Sequence, residues 1–259
     1  MCTLLVTANP DHISHAFTTP RFVNRGNGNY SLWALDFVGE GDKVDHILPY
    51  QLDSWTPDDD VIGTRLYVLH MHSPTGDTYA PHPARKYITS PIGGHEVSGY
   101  LWHNGQVINT PIDVWDTQRI LDNLLEGPID WNENTSFNSF LNWDTLNELE
   151  GTYAGVLLIN HTARGWKEGE DLHESYLMIF RNAMAPLIYK GDNVDVESSK
   201  DFHLTPDSYV SSVPLAGHEN PSLWRTIPSN VVFALGYREG FYGTPLLYTE
   251  NRYNPYGIY

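Results

Sequence analysis

The sequence predicts a strand-rich chain of mixed α and β structure, with strands and helices in layers and not in regular alternation. Three observations carry this. Short apolar runs are separated by Pro, Gly, Asn and Asp at short intervals, and aromatic residues are frequent. The clearest helical periodicity lies mid-chain, with strand-like runs before and after it. No Gly-rich phosphate loop is present, which disfavours a doubly wound nucleotide-binding domain.

Leu4 to Thr7 begins as a continuous apolar run and is expected as a buried strand. Asp11 to Ala16 is expected as a short helix. Tyr30 to Phe37 is apolar enough for a second strand, introduced by the turn-prone Arg25-Gly26-Asn27-Gly28-Asn29. Asp58-Asp59-Asp60 is expected in a solvated turn. Arg65 to His70 is a further strand, ending at the His-rich turn His70 to Gly76. Tyr100-Leu101-Trp102 is a short strand running into His103-Asn104-Gly105, where Asn-Gly is also a strong turn signal.

Asp116 to Leu125 places Ile120, Leu121, Leu124 and Leu125 on one helical face, with Asp116 near its N-terminus. Asp130 to Asn142 has the composition of a loop. Trp143 to Glu150 is expected as a helix stopped by Gly151. Tyr153 to Ile159 and Tyr176 to Phe180 are expected as paired strands joined by a polar loop from His161 to Glu174. Leu187 to Tyr189 is a short strand. The tail from Phe241 is dense in Tyr, Asn, Gly and Pro.

There is no internal repeat, and the 259 residues are expected to form a single domain. The segment from about residue 206 would pack on it or form an interface, since tyrosine is enriched at interfaces and homo-oligomers are one use for such a surface. A net charge of −17 argues against nucleic acid and against anionic membranes. No apolar run approaches the ~20 residues of a membrane span. No basic region followed by an apolar stretch opens the chain, so a reducing cytoplasm is the expected compartment. One cysteine excludes an internal disulfide framework.

That cysteine, Cys2, directly follows the initiator Met1. Trimming of Met1 would leave thiol and α-amine on adjacent carbons of one residue. Reference pKa values of about 8.5 and 7.7–8 let the amine take the thiol proton near neutral pH. A lone free cysteine is otherwise an ordinary packed residue.

Further motifs follow in order. They are Leu4-Leu5 with Ala8-Asn9, Arg25-Gly26 with Tyr30-Ser31, His70-x-His72-x-x-Thr75, and His103-Asn104-Gly105. Asp116-Thr117, Leu149 to Ala154, and Phe180-Arg181-Asn182 to Pro186-Leu187 complete the set. Together with Met1-Cys2, this ordered set resembles a class II glutamine amidotransferase domain of the N-terminal-nucleophile hydrolase superfamily, over roughly residues 1–205. The resemblance implies an α+β fold: a four-layer αββα sandwich of two mainly antiparallel sheets with helices outside. It implies that Cys2 attacks the glutamine side-chain amide through a thioester. Asn104 and the Gly105 backbone N–H would hold the oxyanion. Asp116 would hold the substrate ammonium, and His72 with Thr75 its carboxylate. No cofactor is needed, and ammonia would pass to a separate acceptor synthase.

His72 departs from the family, which places arginine there. An unperturbed histidine offers neither the planar fork nor the permanent charge. Arg65 or Arg85 would have to supply the charge, a carboxylate would have to keep His72 cationic, or the substrate is an amide other than glutamine. An inactive interaction protein on the same fold is a further alternative. His82 is read as a surface or lid residue, and His103 as a packed structural one. The histidines His70, His72, His82, His95 and His103, with Asp77, also admit a metallohydrolase reading.

Overall fold

The computed structural model describes residues 2–26, 29–38, 46–54, 65–72, 82–90, 94–111, 114–126, 140–167, 170–191, 202–229, 231–237 and 241–248. Among them the backbone forms two seven-stranded sheets, and the pairings within both are antiparallel. The strands are β1 (Thr3–Thr7), β2 (Tyr30–Val38), β3 (His46–Leu52), β4 (Arg65–Met71), β5 (Ala84–Thr89), β6 (His95–Val107) and β7 (Gly151–Lys167). They continue with β8 (Glu170–Arg181), β9 (Ile188–Lys190), β10 (Phe202–Leu204), β11 (Tyr209–Ser211), β12 (Trp224–Thr226), β13 (Val231–Tyr237) and β14 (Phe241–Tyr248). One sheet has the order β12-β9-β11-β1-β4-β2-β3, the other β10-β14-β13-β8-β7-β6-β5.

Strand alternation sorts the side chains into layers. Leu4 and Val6 of β1, Val68 of β4, Trp102 of β6 and Val156 of β7 share one buried cluster. It fills the space between the sheets. Leu5 of β1 points the other way, into a cluster with Ile13, Ala16 and Phe22 of the helices α1 (Pro10–Thr18) and α2 (Pro20–Gly26). Covered on both faces, β1 is apolar without interruption, as a doubly buried strand must be. Burial of each such Leu or Val is worth roughly 1.5–3 kcal/mol. Asn9 caps α1 by accepting from the Asp11 N–H at 2.9 Å, and Pro10 supplies its first residue.

On the other sheet, Ile120, Leu121 and Leu124 of α3 (Asp116–Leu124) pack with Leu101, Leu157 and Met178. The expected apolar face of this helix is therefore the one it buries. The helix expected from Trp143 shrinks to one turn, α4 (Thr145–Glu148).

One expectation is corrected, and one alternative falls with it. The polar stretch His161 to Glu174 is not a loop, because β7 and β8 run through most of it, with His161 opposite Glu174 and Thr162 opposite His173. Its polar groups satisfy one another across strands: Glu174 lies 3.3 Å from His161 Nδ1, and His161 Nε2 lies 3.0 Å from His95 Nδ1. Nor is Asn104-Gly105 a turn. Both lie inside β6, opposite Ala154 and Tyr153. The acidic run at 58–60, most of the stretch from 130 to 142 and the tail beyond 248 lie outside the described residues. Residues from 206 onward supply β11 beside β1 in one sheet, and β13 and β14 in the other.

Candidate active site

Two of the predicted residues, Cys2 just before β1 and Asn104 within β6, are buried. Asn104 shares the face of Trp102 on β6 and so points into the space between the sheets, while Cys2 immediately precedes β1. Cys2 is 5% exposed and Asn104 is 2% exposed. Thr3 at the start of β1 pairs with Met71 at the end of β4, and Cys2 and His72 are the next residues out along the two segments. The His72 N–H donates to the Asn29 carbonyl at 3.0 Å, fixing that end of β4.

Two cross-links join the sheets here. His70 Nε2 lies 2.9 Å from the His103 carbonyl oxygen and must donate to it, which leaves Nδ1 as the unprotonated nitrogen. Ser212 supplies the second. Its N–H donates to the Leu4 carbonyl at 2.9 Å, and its Oγ accepts from the Leu4 N–H at 3.0 Å and from Asn104 Nδ2 at 2.9 Å. A single hydroxyl thus ties the strand that begins behind Cys2 to the Asn104 amide. Asn104 Oδ1 is buried with no hydrogen-bond partner. Nothing in the sequence singled out Ser212, which directly follows the three-residue strand β11 in a region without a motif.

Gly105 has φ of 146°, and a Cβ there would stand 1.9 Å from the Thr152 carbonyl oxygen. Gly151 has φ of 124°, and its added Cβ would meet the Gln106 oxygen at 2.2 Å. Glycine is required at both because β6 and β7 approach too closely for a side chain. Asn182 locks this crossing: its Oδ1 accepts from the Tyr153 and Ala185 N–H groups at 3.2 and 3.0 Å, and its Nδ2 donates to the Gly151 carbonyl at 2.7 Å. The Arg-Asn landmark thus has an architectural role.

Asp116 is the first residue of α3, with Trp115 as the cap residue before it. Its Oδ1 accepts from the Thr117 N–H at 2.7 Å and its Oδ2 from the Val107 N–H at 3.2 Å. Each carboxylate oxygen can accept twice. Among the described residues Oδ2 has one donor, so the aspartate both pins the helix to the end of β6 and has capacity for a cation. His103 is packed as expected, 3% exposed, with Nδ1 3.1 Å from Thr117 Oγ1 and 3.8 Å from Asp116 Oδ1.

His82 is not a surface residue. It is 4% exposed, its ring centroid lies 3.9 Å from that of His70 and 4.9 Å from that of His72, and it meets Trp115 edge-on at 5.0 Å. Its packing against these neighbouring rings accounts for the burial, where a surface or lid position was expected. Burial pulls the His70 pKa down to about 3 and that of His82 well below its ordinary value. His72 is lowered as well, by burial first, against the opposing pull of the Asp116 carboxylate. His103 is lowered by burial, with Asp116 again opposing. The cluster is therefore neutral at pH 7.

Of the two arginines expected to compensate for His72, Arg65 is paired with a carboxylate and Arg85 is stacked on aromatic rings. Arg65 makes two hydrogen bonds to Asp36, at 2.5 and 3.2 Å. Arg85 lies over the Trp33 ring at 5.0 Å and the Tyr100 ring at 6.0 Å. Thr75 and Asp77 lie outside the described residues. Among the described residues, no group of three or more His, Cys, Asp or Glu is arranged to hold a metal ion. No described helix is long and apolar enough to cross a membrane.

No family model and no curated protein matches the chain. Solved structures do. An allosteric regulatory enzyme of purine biosynthesis superposes with a TM-score of 0.52 at 13% identity, over 97% of this chain and 50% of that one. The likeness is one of fold. At that level it agrees with the resemblance read from the motifs. This chain spans half the length of that enzyme. A predicted glutamine amidotransferase from Pseudomonas aeruginosa aligns over 93% of this chain and 99% of its own, at 14% identity and a TM-score of 0.39.

Proposed function

We propose that the chain is a single-domain amide hydrolase of the glutamine amidotransferase type, with Cys2 as an N-terminal nucleophile once Met1 is removed. The observation that carries this reading is the tie from Leu4 through Ser212 to Asn104, which holds the start of β1 and the inward amide of β6 at one end of the same interior. The α-amine of Cys2 takes the thiol proton, and sulfur bonds to the amide carbon. The developing oxyanion is held by the Asn104 Nδ2–H and the Gly105 N–H, an arrangement in which one donor is worth about 2.7–4 kcal/mol. The C–N bond breaks, nitrogen leaves as ammonia with the proton taken from the thiol, and water resolves the thioester. Asp116 takes the substrate ammonium. His72 and Thr75 are assigned to its carboxylate, and a separate acceptor enzyme takes the ammonia.

A second reading is favoured by the pairing of Arg65 with Asp36 and by the neutral histidine cluster. On it, the substrate is a primary amide that carries an ammonium group for Asp116 but no carboxylate. Ammonia release by wild type and Cys2→Ala, from glutamine and from 4-aminobutanamide, tests both. Turnover that depends on Cys2 supports the nucleophile, and a higher kcat/KM for the carboxylate-free amide supports the second reading. Equal release by Cys2→Ala would defeat both.

A further inference from the structure

We propose that Ser212 is the positioning residue for Asn104, and that its hydroxyl sets where the oxyanion donor stands relative to the nucleophile's strand. The inference rests on the reading of Cys2 and Asn104 given above, and assigns a role to a residue outside every motif.

Ser212 is 3% exposed. A serine hydroxyl has two lone pairs and one proton. Here both lone pairs are taken, by the Leu4 N–H at 3.0 Å and by Asn104 Nδ2 at 2.9 Å. The Ser212 backbone N–H also holds the Leu4 carbonyl, so the serine cannot slide along β1. Of the two protons on Asn104 Nδ2, one is committed to Ser212, which fixes the direction of the other. That second N–H is the donor left for a substrate oxygen. The opposite end of the amide makes the fixing necessary. Among the described residues Oδ1 is buried with no hydrogen-bond partner, so the bond to Ser212 is the one hydrogen bond found on the Asn104 carboxamide. Turned by half a revolution, the amide would present an acceptor to a developing anion, which repels it. A donor misplaced by about 1 Å can cost on the order of 100-fold in rate. Ser212 touches neither thiol nor substrate in this scheme and acts through Asn104.

The test compares Ser212→Thr with Ser212→Val in the full chain. The two side chains are nearly isosteric, so any strain from the added methyl is common to both and only the hydroxyl differs. With the amide that the wild type hydrolyses, Ser212→Thr is expected to keep kcat within about threefold. Ser212→Val is expected to lose about tenfold or more in kcat with KM unchanged, while iodoacetamide alkylates Cys2 at the same rate in both. Equal kcat in the two variants would overturn the proposal. A parallel fall in alkylation would also overturn it, because Ser212 would then be holding β1 in place and not orienting Asn104. A second readout is independent of turnover. The Asn104 side-chain ¹⁵N–¹H₂ resonances should show a cross-peak to the Ser212 β-protons in wild type, and should shift in Ser212→Val but not in Ser212→Thr. Their invariance in Ser212→Val refutes the contact even if no amide is hydrolysed. An inactive wild type with the cross-peak present refutes the functional reading and leaves the positioning contact standing.

Discussion

His72→Arg is the most informative substitution in the site. In the present arrangement the α-carboxylate of glutamine would meet a half-buried, neutral imidazole. Burial lowers its pKa, and the Asp116 carboxylate offsets that only in part. Arginine would add a permanent cation with a planar fork at the same position. A hydrogen bond to a charged group is worth about 1.5–3 kcal/mol net. At 1.36 kcal/mol per decade, that is a fall in the KM for glutamine of about 10- to 150-fold. Coupled ammonia assays between pH 5.5 and 8 provide an internal control. In wild type, glutamine binding should tighten as pH falls below 6.5, because protonated His72 gains a charge. In His72→Arg that slope should vanish. A KM within twofold of wild type, or a slope that survives the substitution, would refute the placement of the carboxylate end.

Other expectations follow from the same geometry. Asn104→Ala should cut kcat by about 10²–10³-fold with little change in melting temperature, and a loss of less than about tenfold would remove Asn104 from the oxyanion site. Gly105→Ala should destabilise the fold by more than about 3 kcal/mol in urea unfolding, since its Cβ would collide with the Thr152 carbonyl at a φ that L residues rarely adopt. His70 and His82 have folded-state pKa values depressed below their unfolded value of about 6.5. The unfolded chain therefore binds more protons, and the stability present above pH 6.5 is lost as pH falls toward the folded values. Each histidine contributes up to about 1.4 kcal/mol per pH unit in that window. The urea midpoint should therefore be clearly lower at pH 5.5 than at pH 7.5, and equal midpoints would contradict the neutral cluster.

The legible parts of the fold were those where one physical pattern dominated. β1, β2, β4 and α3 are strongly apolar on the faces they bury, and their periodicity appears directly in the sequence. The outer halves of β7 and β8 were hidden because a polar ladder such as His161 with Glu174 has the composition of a loop. α2 was missed because it is seven residues long and anchored by little more than Phe22. At the site, Cys2, Asn104, Gly105 and Asp116 stood in motifs of fixed order. His82 and Ser212 reach the same region through tertiary packing alone. Ser212 comes within hydrogen-bonding distance of Asn104 across 108 residues of sequence, a contact that no local spacing encodes.

Chemical quench of the enzyme during turnover, followed by intact and peptide mass spectrometry, tests the nucleophile itself. The account predicts protein lacking Met1 and a transient acyl mass on the N-terminal peptide, located at the Cys2 sulfur. An active preparation that retains Met1, or an acyl group on any other residue, would contradict it.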